Sequence, residues 1–152
     1  MNADTDAYLA IERLQRAYAD ISTRHAWNEM ASLTTPDALF AFHTQRGVFE
    51  VRGGAAFAEL GPKMAEQFSF HVLIPINFVM KIDTNGTARG RSYLLEVAED
   101  RQTRDWIEVF GLYHDEYARH DGTWLFSRRE YRALGRRTAG RLEAFPLEDR
   151  AL

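Results

Sequence analysis

Residues 105–132, with the sequence DWIEVFGLYHDEYARHDGTWLFSRREYR, decide the fold class of this chain. Apolar and polar residues alternate over 105–119, and a period of two is typical of a strand with one buried face. Asp121-Gly122 separates this run from a second strand-like run over 123–132, and Asp-Gly favours a tight hairpin turn. The stretch therefore predicts two long antiparallel strands.

Two further strands are predicted before this hairpin. Residues 70–82 are rich in β-branched and aromatic residues, and 88–98 form the expected return strand. Asn85-Gly86 lies between the two runs, and Asn-Gly is the strongest short hairpin signal. The second half of the chain is thus predicted to be a four-stranded antiparallel meander.

Helices are predicted in the first half of the chain. Apolar residues recur at helical spacing through the first 25 residues, and a short second helix is expected over 27–33. Strands with a turn near Gly47 are expected over 38–51, and Gly53-Gly54 open a third helix. Helices followed by a meander predict an α+β fold, with the helices on one face of a curved sheet.

Composition excludes several classes of protein. The chain has 152 residues, the size of one domain, and its aromatic share of 12 % is too high for a disordered chain. The net charge of −3 disfavours a globally basic nucleic-acid-binding protein. The absence of cysteine excludes disulfides, thiolate metal sites and cysteine nucleophiles.

No segment of the sequence has the character of a membrane or export signal. A membrane-spanning helix needs about 20 apolar residues, whereas the most apolar stretch, 70–80, is short and contains His71, Pro75 and Asn77. The first six residues include two aspartates and no basic residue, unlike a signal peptide. We therefore expect a cytoplasmic protein without membrane or nucleic-acid partners.

Several short motifs occur in an order that resembles a known family. Tyr18 ends the first helix and Trp27 follows nine residues later, while His71 begins a long strand. Residues 111–117, GLYHDEY, and 121–129, DGTWLFSRR, complete the pattern. In this order the motifs resemble the SnoaL-like family of the nuclear transport factor 2-like superfamily.

The resemblance implies both an architecture and a range of functions. It implies a curved antiparallel sheet forming a cone over residues 1–134, with three N-terminal helices packed on its concave face and a tail over 135–152. Proteins of this kind include polyketide cyclases, dehydratases, a dehydrochlorinase and the small subunit of ring-hydroxylating dioxygenases. The expected activity is therefore dehydration, isomerisation or cyclisation of an apolar, cyclic or aromatic small molecule, without a cofactor.

Two other functions remain open. The chain could bind a small ligand without turning it over, or it could be an accessory small subunit resembling that of ring-hydroxylating dioxygenases. No short pair of metal-ligating histidines occurs, so no metal is expected. We also expect a homodimer formed through the sheet, because a convex sheet face rich in aromatic residues favours association.

The expected catalytic residues are His71, Asp20 and Tyr18. His71 resembles the general base of the dehydratase-like members, and imidazole accepts protons near neutral pH. Those members carry an aspartate where this chain has Thr23, so Asp20, one helical turn earlier, is the nearest alternative carboxylate. Asp20 could equally be a solvated residue near the helix end. Tyr18 lies in the apolar stripe and could donate a hydrogen bond to a substrate.

The expected ligand pocket contains Trp27, Glu96, Glu108, Phe110 and Arg129. Glu108 and Phe110 occupy one face of the strand over 105–117, and they line the cavity only if that face points inward. Glu96 falls near a position where bile-acid dehydratases carry an acid. Arg129 resembles a family arginine that faces the cavity in some members, where it could bind a substrate carboxylate or carbonyl.

Overall fold

The computed structural model describes residues 2–44, 47–148 and 150–152. It contains helices α1 (Ala3–Arg24) and α2 (Gly54–Ala65), with a short 3-10 helix (Trp27–Leu33) after α1. The strands are β1 (Thr34–Thr44), β2 (Gly47–Arg52), β3 (Phe68–Ile82), β4 (Thr87–Asp100), β5 (Trp106–His120), β6 (Thr123–Thr138) and β7 (Arg141–Ala144). The predicted α+β order is confirmed.

One curved sheet contains all seven strands, in the order β2-β1-β6-β5-β4-β3, with β7 also paired to β6. The sheet is mixed rather than wholly antiparallel, because β1 runs parallel to β6. The predicted sheet was antiparallel, and the large sequence separation of β1 and β6 explains why the observed sheet is mixed. A helix and four strands lie between β1 and β6, so no tight turn forces the two to run in opposite directions.

The sheet continues beyond residue 134, where the domain was expected to end. Strand β6 extends to Thr138, and β7 pairs with it through a turn at Ala139 and Gly140, which have φ of 49° and 76°. Two successive positive φ angles suit a tight hairpin. Alanine rarely adopts a positive φ, so residues 139–140 carry no clear turn signal in the sequence. The turn expected near Gly47 involves residues 45 and 46, which lie outside the described residues.

The strands of the meander bury alternate residues against the helices. On β5, Ile107, Tyr113 and Tyr117 are buried, whereas Trp106 and Phe110 are 52 % and 42 % exposed. The concave face of the sheet therefore holds the odd-numbered residues of this strand.

The convex face exposes an apolar cluster in the isolated chain. Phe70 and Ile74 of β3 contribute to it together with Trp106 and Phe110 of β5. The rings of Phe70 and Trp106 stack with centroids 5.7 Å apart. The homodimer expected through the sheet stays a prediction.

An ion pair lies at the centre of the core, between α1 and the sheet. Arg129 of β6 is 1 % exposed and donates from Nε and Nη2 to the two carboxylate oxygens of Asp115, each at 2.8 Å. Gln15 of α1 donates to Asp115 at 2.6 Å and accepts a hydrogen bond from Arg129. Burial opposes the charge of Arg129, but Asp115 more than compensates, so the pKa of Arg129 is raised.

Replacing Asp115 by asparagine is expected to destabilise the fold by about 3–5 kcal/mol, because the guanidinium of Arg129 would remain buried without its counter-charge. Urea denaturation followed by circular dichroism measures the change. Asp121→Asn is the matched control, because Asp121 is 94 % exposed in the β5–β6 turn. Its effect should stay within about 0.5 kcal/mol. A loss below about 1 kcal/mol for Asp115→Asn would contradict the central role of the pair.

Candidate active site

A cavity of about 310 Å³ lies between the helices and the concave face of the sheet. This is the size of an ordinary small-ligand site. Seven aromatic side chains contribute to its wall: Tyr18, Trp27, Phe42, Phe57, Phe68, Tyr113 and Tyr131. Such a wall favours an apolar or aromatic ligand.

His71 and Glu96 meet at this wall. His71 lies near the start of β3, and Glu96 projects from the same face of the neighbouring strand β4. The Nε2 atom of His71 is 3.2 Å from Oε2 of Glu96. The imidazole also stacks on Phe68, with ring centroids 5.6 Å apart. Stacking and the carboxylate together fix the orientation of the ring.

The contact with Glu96 determines which nitrogen of His71 can accept a proton. A neutral imidazole has one N–H donor and one acceptor nitrogen. The carboxylate of Glu96 accepts hydrogen bonds, so it favours the tautomer that carries the proton on Nε2. This assignment leaves the lone pair on Nδ1.

Tyr131 of β6 interacts with the same carboxylate. Burial is the largest cause that raises the pKa of Tyr131 well above its ordinary value, and a hydrogen-bonding interaction with Glu96 adds to it. The phenol of Tyr131 therefore remains protonated. The sequence analysis missed Tyr131, although it stands two residues after Arg129 and strands repeat their inward positions every two residues.

Tyr18 and Tyr113 separate the cavity from the buried ion pair. Both line the cavity, and both rings lie against the guanidinium of Arg129, with centroids 4.2 and 3.9 Å from its carbon. Burial raises the pKa of each phenol, so both stay neutral at physiological pH. They can donate hydrogen bonds but cannot act as bases.

Thr23 has a structural contact of its own. Its Oγ1 accepts a hydrogen bond from the backbone N–H of Leu73, at 3.1 Å. The end of α1 is thereby tied to β3, two residues beyond His71. Thr23 therefore holds the backbone of β3, while the carboxylate beside His71 comes from β4.

Four of the expected site residues line the cavity, namely His71, Tyr18, Trp27 and Glu96. Asp20 does not, because α1 remains regular to Arg24 and keeps position 20 on its outer side. There Asp20 is 59 % exposed and forms an ion pair with Arg24 at 2.8 Å.

Three further expected pocket residues also lie elsewhere. Glu108 and Phe110 point from the convex face of β5, where Glu108 forms an ion pair with Arg137 and Phe110 is exposed. The inward positions of β5 are the odd-numbered ones, which the sequence pattern left open. Arg129 lies behind Tyr18 and Tyr113, and Asp115 occupies its donors.

The described part of the chain offers neither a metal-binding cluster nor a membrane-spanning helix. Within residues 2–44, 47–148 and 150–152, no group of three His, Asp or Glu side chains could hold a metal ion. None of the helices described is long and apolar enough to cross a membrane.

Comparison with known proteins identifies the family and the fold. The SnoaL-like domain family matches residues 3–130. A protein provisionally assigned as a scytalone dehydratase from Novosphingobium aromaticivorans is 22 % identical, with a TM-score of 0.80 and coverage of 97 % of both chains. The hexachlorocyclohexane dehydrochlorinase LinA-type3 from Novosphingobium barchaimii is 19 % identical, with a TM-score of 0.81 over 94 % of this chain and 97 % of that one.

A third similar structure, a provisionally assigned aromatic ring hydroxylase from Novosphingobium aromaticivorans, is 22 % identical. Its TM-score is 0.71, over 90 % of this chain and 92 % of that one. At these identities the structural likenesses show the fold alone. No curated protein sequence matches the chain.

Gly61 of α2 shapes the cavity, because a Cβ there would overlap the indole ring of Trp27. In Gly61→Ala, the higher helix propensity of alanine should add about 0.5–1 kcal/mol to the free energy of unfolding. Overpacking against Trp27 should lower it by about 1–3 kcal/mol. We expect a net loss of stability and a displaced indole, measured by thermal unfolding and tryptophan fluorescence. Ala55→Ser, at an exposed position of the same helix, should change neither. An unchanged or higher melting temperature for Gly61→Ala would contradict this close contact.

Proposed function

The chain belongs to the SnoaL-like domain family, and we propose on this basis that it is an enzyme. Its proposed reaction is elimination or isomerisation, by proton transfer, of a small apolar, cyclic or aromatic molecule. The observation that carries the proposal is the 3.2 Å contact between His71 and Glu96 at the wall of an aromatic cavity. A base held by a carboxylate at an apolar site is an arrangement suited to removing a proton from carbon.

His71 is the proposed general base, through Nδ1. It takes a proton from a carbon next to a carbonyl or next to the carbon that bears the leaving group. The C–H electron pair forms the new double bond, and the leaving group departs with its own electron pair. The imidazolium that forms is stabilised by the carboxylate of Glu96, and this attraction is stronger beside apolar side chains than in water.

In a dehydration the same proton can return to the departing hydroxide, so that water leaves and His71 becomes neutral again. In an isomerisation the proton returns to another carbon. Both outcomes need only the one base, and the substrate decides between them.

Neutral phenols complete the proposed site. Tyr18 and Tyr113 can donate hydrogen bonds to a substrate oxygen as negative charge develops on it. Arg129 touches both rings from behind, with its guanidinium carbon 4.2 and 3.9 Å from their centroids. We therefore assign Arg129 a positioning role and no contact with substrate.

The names of the structural neighbours favour elimination within this range. A dehydratase eliminates water and a dehydrochlorinase eliminates hydrogen chloride, and proteins with these names share the fold. The chemistry is transferred here as part of the proposal, since the fold alone supports many reactions.

A ligand-binding protein without turnover is the second candidate. The observation that favours it concerns Thr23. This residue carries no negative charge, and its hydroxyl accepts a hydrogen bond from the backbone N–H of Leu73. A binding protein needs the aromatic cavity but not the pairing of His71 with Glu96.

Proton transfer can be tested with two tetralones of similar shape. In deuterium oxide the enzyme should catalyse exchange of the α-protons of 1-tetralone, measured by proton NMR. It should also convert 3-hydroxy-1-tetralone, by loss of water, into 1-naphthol, which is measured by fluorescence. His71→Gln should lower both rates by about 100-fold or more, the usual contribution of a general base. Glu96→Gln should lower them less, because the base remains.

Glu108→Gln is the matched control, because this carboxylate lies on the convex face and should leave both rates unchanged. Circular dichroism and thermal unfolding confirm that each variant is folded. If 1-tetralone binds to the wild-type protein and neither reaction is accelerated, the enzyme proposal is wrong for this class and the binding protein is favoured.

A further inference from the structure

Arg136 occupies the concave side of strand β6 at the cavity. It pairs across the sheet with Val109, which lines the same cavity. Its side chain is exposed, so it lies where the cavity opens to solvent. Arg136 is therefore accessible both to solvent and to the cavity.

Arg136 differs from the other arginines of its strand. Strand β6 contains five, and four form ion pairs: Arg128 and Arg132 with Glu130, Arg129 with Asp115, and Arg137 with Glu108. Within the described part of the chain, no carboxylate lies at ion-pair distance from Arg136. The contact recorded for its side chain is a hydrogen bond from Nε to Thr138 Oγ1, at 3.3 Å.

The charge of Arg136 acts on the interior of the cavity. Burial and Glu96 raise the pKa of Tyr131, and Arg136 opposes them. Among the described residues that line the cavity, Glu96 is the one carboxylate and Arg136 the one arginine. Outside the lining, Arg136 also acts electrostatically on Asp100 and pairs in register with Glu143 of β7. A ligand anion placed beside Glu96 would be repelled, whereas one placed at Arg136 would be attracted.

We propose that Arg136 binds the carboxylate of an acidic substrate, whose apolar ring lies in the cavity and whose reacting carbon faces His71. The inference rests on the proposed function and narrows the substrate class to cyclic or aromatic carboxylic acids. The guanidinium supplies two parallel N–H donors that match a carboxylate. With the substrate carboxylate paired to Arg136, proton transfer to His71 leaves the net charge of the site unchanged, and the carboxylate of Glu96 faces the imidazolium that forms.

Binding can be measured without any turnover, by titrating the protein with 2-naphthoate and with its neutral isostere 2-naphthamide in a calorimeter at low ionic strength. The wild-type protein should bind the acid at least about tenfold more tightly than the amide. Arg136→Gln should remove this preference and leave the affinity for the amide unchanged. Added salt should weaken the preference, because the cation is exposed.

Arg137→Gln is the matched control, because Arg137 is the next residue, lies on the opposite face and is paired with Glu108. It should keep the preference for the acid. Equal affinities of the wild-type protein for the two probes, no binding of either, or a preference that persists in Arg136→Gln would overturn the carboxylate site. A failure of the carboxylate site would leave the proton-exchange result for His71→Gln standing, so the two proposals fail separately.

Discussion

Arg129 and Asp115 place opposite charges where almost no water reaches them, and the arrangement around them follows from that fact. Removing two charges from water is costly unless their remaining hydrogen-bonding atoms are satisfied. Two parallel hydrogen bonds join the pair, Gln15 binds both partners, and Tyr117 donates to Asp115. Because Gln15 belongs to α1, this requirement fixes the helix against β5 and β6.

The same constraint determines the back of the candidate active site. The rings of Tyr18 and Tyr113 cover the guanidinium on one side and face the cavity on the other. The curvature of the sheet and the alternation of its strands then bring His71 and Glu96 together from neighbouring strands. The carboxylate beside His71 therefore comes from β4, while the end of α1 provides only the hydroxyl of Thr23.

Part of the site was accessible from the sequence. His71, Tyr18, Trp27 and Glu96 were selected from the residues and from the family resemblance, and all four line the cavity. Asp20, Glu108 and Phe110 were misplaced because their orientation depends on the neighbouring elements. A carboxylate between Trp106 and Phe110 has the same local pattern whether its strand face meets helices or solvent. Tyr131 has only the signal of its two-residue spacing from Arg129, and Arg136 has no individual signal, because its role comes from the strand opposite it.

The sequence by itself determined the elements: period-two alternation and the Asn-Gly and Asp-Gly turns specify the meander, and helical spacing specifies α1. These signals are local, because they depend on backbone preferences and on the spacing of apolar side chains. Only the tertiary structure decided that β1 runs parallel to β6, which face of β5 is concave, and that Glu96 is the carboxylate beside His71. Each of these depends on contacts between residues far apart in the chain, whose geometry is set by the packing of helices onto the sheet.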